Sequence, residues 1–177
     1  MSITHVRIFL FTALAALTLA APAGAQTQKQ TEPRTFDKSP HLWATVNICD
    51  SAKSPDTIGV RASMPGTGRA KERMFMRFRV QFKREADGTW EDFDDDAGTV
   101  SDWVSVGRAT FRARQSGWSF PFELDPGQRY ELRAVASFEW RRGEKVVRKL
   151  AKRTTKGHRT ALAEPKGYSA ATCVIKG

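Results

Sequence analysis

Residues 124–138 read LDPGQRYELRAVASF, and the order of the parts decides the fold. Pro126 fixes its own φ and Gly127 tolerates a positive one, so the pair predicts a chain reversal immediately before Tyr130. From Tyr130 the apolar side chains fall at every second position, Tyr130, Leu132, Ala134, Ala136 and Phe138, while Glu131, Arg133, Ser137 and Glu139 take the other face. A period of two with one polar side is the pattern of an antiparallel strand that buries one face and wets the other.

The same period recurs along the chain. Residues 41–49 alternate Leu42, Ala44, Val46 and Ile48, residues 57–64 alternate Ile58, Val60, Ala62 and Met64, and residues 74–82 alternate Met74, Met76, Phe78, Val80 and Phe82. Asp87-Gly88 then signals a hairpin before Trp90. Strands are further predicted at 103–106, at 118–124 with Trp118, Phe120, Phe122 and Leu124 in register, and at 145–153. No segment carries a sustained helical period, so the chain reads as all-β.

Leu124, Pro126, Gly127, Tyr130, Leu132 and Ala134, with FRVQFKREADGTW at 78–90, give the chain a resemblance to the fibronectin type III group of immunoglobulin-like domains over roughly residues 42–155. The resemblance implies an immunoglobulin-like antiparallel β-sandwich of seven to eight strands. It also implies a Tyr130 ring buried at the corner with its hydroxyl bonded back to the corner's backbone, and one sheet shared by the third, sixth and seventh strands. The chain departs from the family at TIGVRASM, 57–64, which lacks the usual Trp, and in continuing past a seventh strand to a Cys-bearing end. Such a resemblance specifies a fold and no activity.

Residues 8–21 are almost wholly apolar, follow Arg7 and lead to Ala23-Gly24-Ala25, the pattern of a secretory signal peptide cleaved after Ala25. The expected organisation is a signal at 1–25, a flexible polar segment at 26–40 and one domain at 41–177. The protein is expected to be secreted, extracellular or periplasmic, with no membrane span. Cys49 and Cys173 are the two cysteines, and in an exported chain they are expected to form a disulfide. YSAATCVIKG near the end echoes LWATVNICD near the start, so the bond would set the last strand beside or across from the first.

Catalytic chemistry finds little support. The mature region holds only His41 and His158, and no nucleophile elbow, zinc-binding His pair or phosphate loop occurs. No cofactor is expected. Asp92, Asp94 and Asp96 stand at alternate positions as in the start of a calcium loop, but Trp103 occupies the place of the closing Glu, so the stretch reads as a solvated acidic loop. Most of Trp43, Trp90, Trp103, Trp118 and Trp140 are expected in the core. Trp43 falls on the exposed parity of its strand, and Trp140 is placed at the rim.

Charge is the feature that bears on function. Residues 129–177 carry 13 basic and 4 acidic side chains, whereas residues 26–128 are balanced at 15 of each. Arg77, Arg79 and Lys83 take the outward parity of the third strand and Arg133 and Arg141 that of the sixth. On the seventh, VVRKLAKR leaves the parity undecided: Val146 and Leu150 inward would turn Lys145, Lys149 and Arg153 outward. Residues 154–167, with Lys156, Arg159 and Lys166, read as an exposed loop. The expectation is a non-catalytic module that binds an anionic polymer or envelope surface through a basic sheet face, the other reading being a structural or protein-interaction module.

Overall fold

The computed structural model describes residues 36–94 and 97–177; the predicted signal peptide, most of the 26–40 segment and Asp96 lie outside them. A 3-10 turn at Phe36–Lys38 precedes nine strands: β1 Trp43–Ser51, β2 Ser54–Pro65, β3 Arg73–Lys83, β4 Trp90–Asp92, β5 Val104–Arg108, β6 Ala113–Pro121, β7 Arg129–Arg142, β8 Lys145–Arg153 and β9 Cys173–Lys176. They form a three-stranded sheet, β1-β2-β6, and a six-stranded sheet, β4-β3-β7-β8, in which β5 also pairs with β3 and β9 with β7. Every pairing between these strands is antiparallel.

The alternation read from the sequence is the alternation that is buried. Ile58, Val60, Ala62 and Met64 of β2 meet Met74, Met76, Phe78 and Val80 of β3 and Leu132, Ala134, Ala136 and Phe138 of β7 in one apolar cluster. The reversal before β7 is a type II turn. Gln128 N–H donates to the Asp125 carbonyl at 3.0 Å and Gly127 takes a φ of 83°, which is the position that needs glycine.

Several expectations are corrected. The described residues form nine strands because the edge beside β3 is split into β4 and β5 and because β9 is added to β7. The Tyr130 ring is half-buried in an aromatic group with Phe82, Phe93 and Phe122 at centroid distances of 6.3, 5.7 and 6.5 Å, and its hydroxyl makes no hydrogen bond among the described residues. Trp140 is fully buried, not at the rim; its Nε1–H donates to the Pro65 carbonyl at 3.0 Å and Phe36 packs edge-on against its ring. Phe36 thereby joins the core from within the segment expected to be flexible.

Trp118 is corrected the other way. It opposes Val60 in register, yet it is 41% exposed, because β6 ends its sheet and a large ring there has neighbours on one side only. β6 stops at Pro121, so Phe122 and Leu124 pack against the core from beyond the strand. On β8 a register shift opposite Trp140 and Arg141 carries Val146 to the outward side, opposite Arg141, while Leu150 opposite Phe138 faces inward.

The 154–167 stretch is not a free loop. Thr155 N–H donates to the Ala44 carbonyl and Glu164 N–H to that of Asn47, and Val46 exchanges two hydrogen bonds with Ala170. These contacts satisfy the outer edge of β1, which would otherwise present unpaired backbone groups to solvent. They also explain why Thr45 and Asn47, on the polar parity of β1, are buried: Thr45 Oγ1 lies 2.7 Å from Ser169 Oγ and Asn47 Nδ2 donates to the Leu162 carbonyl. Across the molecule, Cys49 of β1 and Cys173 of β9 form a disulfide with Cα atoms 5.4 Å apart, so the last strand lies across from the first and on the other sheet.

The connection from β2 to β3 is closed by a carboxylate that sequence patterning does not mark. Glu72 is 1% exposed and accepts hydrogen bonds from Thr67 Oγ1, Arg69 and Arg142. Burial alone would push its carboxyl up, but the three donors and the Arg69 charge outweigh it and hold it below its ordinary value of 4.5. Because the folded value is depressed, this contribution to stability is fully present above the unfolded value and is lost as pH falls through the folded one. Glu72→Gln should cost about 1–3 kcal/mol near neutral pH. Urea unfolding as a function of pH should show the gap between parent and variant closing as pH falls below 4.5 and on through the depressed folded value; a gap independent of pH would refute the role.

Candidate functional site: the outer face of the six-stranded sheet

In an antiparallel ladder, residues directly opposite one another project to the same face. Arg73 lies opposite Arg141, Arg77 opposite Ser137, Arg79 opposite Val135 and Gln81 opposite Arg133. On the other side of β7, Lys149 lies opposite Glu139, Ala151 opposite Ser137 and Arg153 opposite Val135. The register therefore places Arg77, Arg79, Lys83, Arg133, Arg141, Lys149 and Arg153 on one outward face. It adds four that sequence reading missed: Arg73 and Arg129, whose parity was legible, Arg108, which is brought opposite Arg73 by a β5 pairing that contains a register shift, and Lys176, which β9 sets opposite Arg129.

The charge on this face is partly compensated. Arg79 pairs with Asp92, Lys83 with Glu131 at 3.2 Å and Arg141 with Glu139 at 2.7 Å. Arg77 Nε donates to the Ser101 carbonyl at 3.0 Å, and Arg133 Nε to Gln81 Oε1 at 2.8 Å. Arg73, Arg108, Lys149 and Arg153 are exposed and have no carboxylate within 4.0 Å among the described residues. Among the described residues the face thus carries eleven cations, with the exposed Arg129 and Lys176 where β7 pairs with β9 included, against three carboxylates, Asp92, Glu131 and Glu139. Crowding of the cations has a cost: burial, and after it the charge of Arg153, push the Arg133 guanidinium below its usual value, while Asp92 acts in the opposite sense. An anion placed over the face would relieve that repulsion.

The aromatic residues on this face support the arginines. Arg133 lies over the Trp90 ring at 4.4 Å, and Arg141 over Phe75 at 4.2 Å and Trp103 at 5.0 Å. Trp90 and Trp103 are half-buried here, not in the core. A guanidinium over an aromatic ring is held in place yet keeps donors available for carboxylate, sulfate or phosphate.

The acidic stretch has another use. The Asp92 carboxylate accepts from Gln81 Nε2 at 2.9 Å and from Arg79, and these bonds, with the Arg79 and Arg133 charges, outweigh its burial and keep it below its usual value. Asp94 is exposed, and no group of three metal-binding side chains occurs among the described residues. Trp43, expected to be exposed, is half-buried and stacked on His158 with centroids 4.4 Å apart and planes 5° from parallel. Burial pushes His158 below its ordinary value, and His41 accepts a hydrogen bond from Arg112 Nε at 2.9 Å. The two histidines are thus engaged in separate packing contacts.

Two surface hollows lie elsewhere. One of about 370 Å³ is lined by Asn47, Val60, Arg61, Gly117, Trp118 and Ser119, and one of about 250 Å³ lies beside the Trp43–His158 stack. Neither gathers a group of acids, bases or nucleophiles comparable to the cation array. No protein-family model matches the chain, and no curated protein is similar to it.

Proposed function

We propose that the protein is an exported, non-catalytic binding module of the immunoglobulin-like, fibronectin type III-like sandwich class, and that it holds anionic polymers on the outer face of its six-stranded sheet. The fold reading is supported by strand order: β1-β2-β6 against β3-β7-β8 follows the A-B-E and C-F-G sets of immunoglobulin-like sheets. The observation that carries the function is the row of exposed cations, Arg73, Arg108, Lys149 and Arg153, without carboxylate partners among the described residues, on a face that also holds five partly compensated ones. Polyanions bind such a surface through summed charge and the release of their counterions.

The test is the salt dependence of binding to a sulfated polysaccharide. Engagement of these four cations predicts a log–log slope of about −3, by the 0.7–0.9 per contact measured for nucleic acids. A slope near zero would favour the second reading, a protein-interaction module. That reading rests on β6, which ends its sheet and leaves Trp118 41% exposed, an arrangement suited to strand addition with an apolar anchor.

A further inference from the structure

Resting on that reading of the face, we infer that its ligand is a single linear acidic polysaccharide lying along β7 and spanning from Arg133 to Arg141. The two arginines are eight residues apart on one face of one strand, a separation of about 27 Å at about 3.4 Å per residue. Each is fixed at both levels. Arg133 is held by Gln81 and sits over Trp90, and Arg141 is held by Glu139 and sits over Phe75 and Trp103.

Between them β7 is low. Its outward side chains there are Val135, Ser137 and the largely buried Glu139, and Ala151 of β8 stands beside Ser137. Arg77 and Arg79 on β3 do not overhang this strip, because their head groups are bonded to Ser101 and Asp92 on the β4–β5 side. On the β8 side the exposed Lys149 and Arg153 stand as a rail with no carboxylate partners among the described residues. The strip from β3 to β8 is two strand spacings wide, about 10 Å, which admits one extended chain.

The chemistry of the ends selects the polymer. Single-stranded nucleic acid is held by bases stacked on open aromatic rings along a basic groove. Here Trp90, Phe75 and Trp103 already carry guanidinium groups, so the face offers the N–H donors those arginines have not given to Glu139 and Gln81 for sulfate or carboxylate groups at intervals, with no free ring platform for bases among its described residues.

The full chain should be titrated with sulfated oligosaccharides of defined length on either side of about 27 Å, and with single-stranded oligodeoxynucleotides of matched length, at one salt concentration. The expected result is a rise in affinity of about tenfold or more, beyond the trend with charge, once an oligosaccharide bridges both arginines, as a second linked contact gives. Oligonucleotides should bind at least about tenfold more weakly than oligosaccharides of the same length. Lys149→Gln with Arg153→Gln, both at exposed positions, should remove most of the affinity of the long oligosaccharide.

Affinity that follows charge number smoothly through that length, or a double variant that binds like the parent, would overturn the β7 track while leaving a diffuse polyanion face. Oligonucleotides binding as tightly as oligosaccharides would overturn the choice of polymer. Absence of binding by either series would overturn both this inference and the function it rests on.

Discussion

Replacing Cys49 and Cys173 together by alanine should lower the unfolding free energy by about 3–5 kcal/mol. The bond joins residues 124 positions apart, and the chain-entropy estimate for such a loop is about 5 kcal/mol. Its position adds to the expectation. β9 is four residues long and pairs with β7 only from Arg129 to Leu132, so the disulfide adds a covalent tie to β1 and the other sheet beyond the packing of Ile175 in the core. Alanine avoids placing a hydroxyl at Cys173, which is 2% exposed. Urea unfolding of the parent with reductant should approach the midpoint of the double variant. A loss below about 1 kcal/mol would mean that strain in the native bond cancels its constraint on the unfolded chain.

Trp140→Ala should cost about as much or more. Removal of a fully buried large aromatic side chain typically costs about 3–5 kcal/mol, and the indole is also the donor to the Pro65 carbonyl at the end of β2. Stranding that carbonyl in the core adds a desolvation cost of about 1–3 kcal/mol if water does not replace the donor. Trp140→Phe separates the two effects, since it keeps most of the apolar volume and loses the donor; it should fall well short of the alanine loss. Equilibrium unfolding by urea measures both. An alanine variant within about 2 kcal/mol of the parent would contradict the role of Trp140 in joining the two sheets.

The physical reasons these features differ in legibility are local. β7 could be read because its turn and its period of two are both written in consecutive residues, and the same holds for β2 and β3. Trp140 could not, because its burial depends on Pro65 and Phe36, which are distant in sequence. Trp118 carries the correct parity and is still exposed, since parity says which face a residue takes and not whether its strand has neighbours on both sides. The parity of β8 stayed open in the sequence because a single register shift puts Val146 and Leu150 on opposite faces, and such a shift inverts every assignment on one side of it. The 154–170 stretch has the composition of a loop, and its role as cover for the β1 edge rests on backbone hydrogen bonds that composition does not encode.

The basic face was legible in outline. Outward parity gave seven of its cations, and the sheet-sharing implied by the family resemblance brought the three strands together. Arg73 and Arg129 share that parity and were passed over; the rest of what was missed lies in pairings: the β5 register that adds Arg108, and the capture of Arg79 by Asp92, which turns an apparent calcium-loop residue into part of the arginine array. Glu72 was invisible because a lone carboxylate between two basic residues looks like any solvated charge.

Whether the sheet face is a binding site is decided by comparing two triple variants of equal charge. One removes Arg73, Lys149 and Arg153 from the sheet face as glutamine, and the other removes Lys156, Arg159 and Lys166 from the exposed positions of the 154–167 stretch. Exposed substitutions of this kind should each change stability by no more than about 0.5 kcal/mol, so both variants should fold. Binding to a sulfated polysaccharide is then followed against salt. The face variant should lose most of its affinity and its salt slope should flatten by about 2–3, while the control variant keeps both close to those of the parent. Equal losses from the two variants would show that net charge alone attracts the polymer and that the sheet face is not a site.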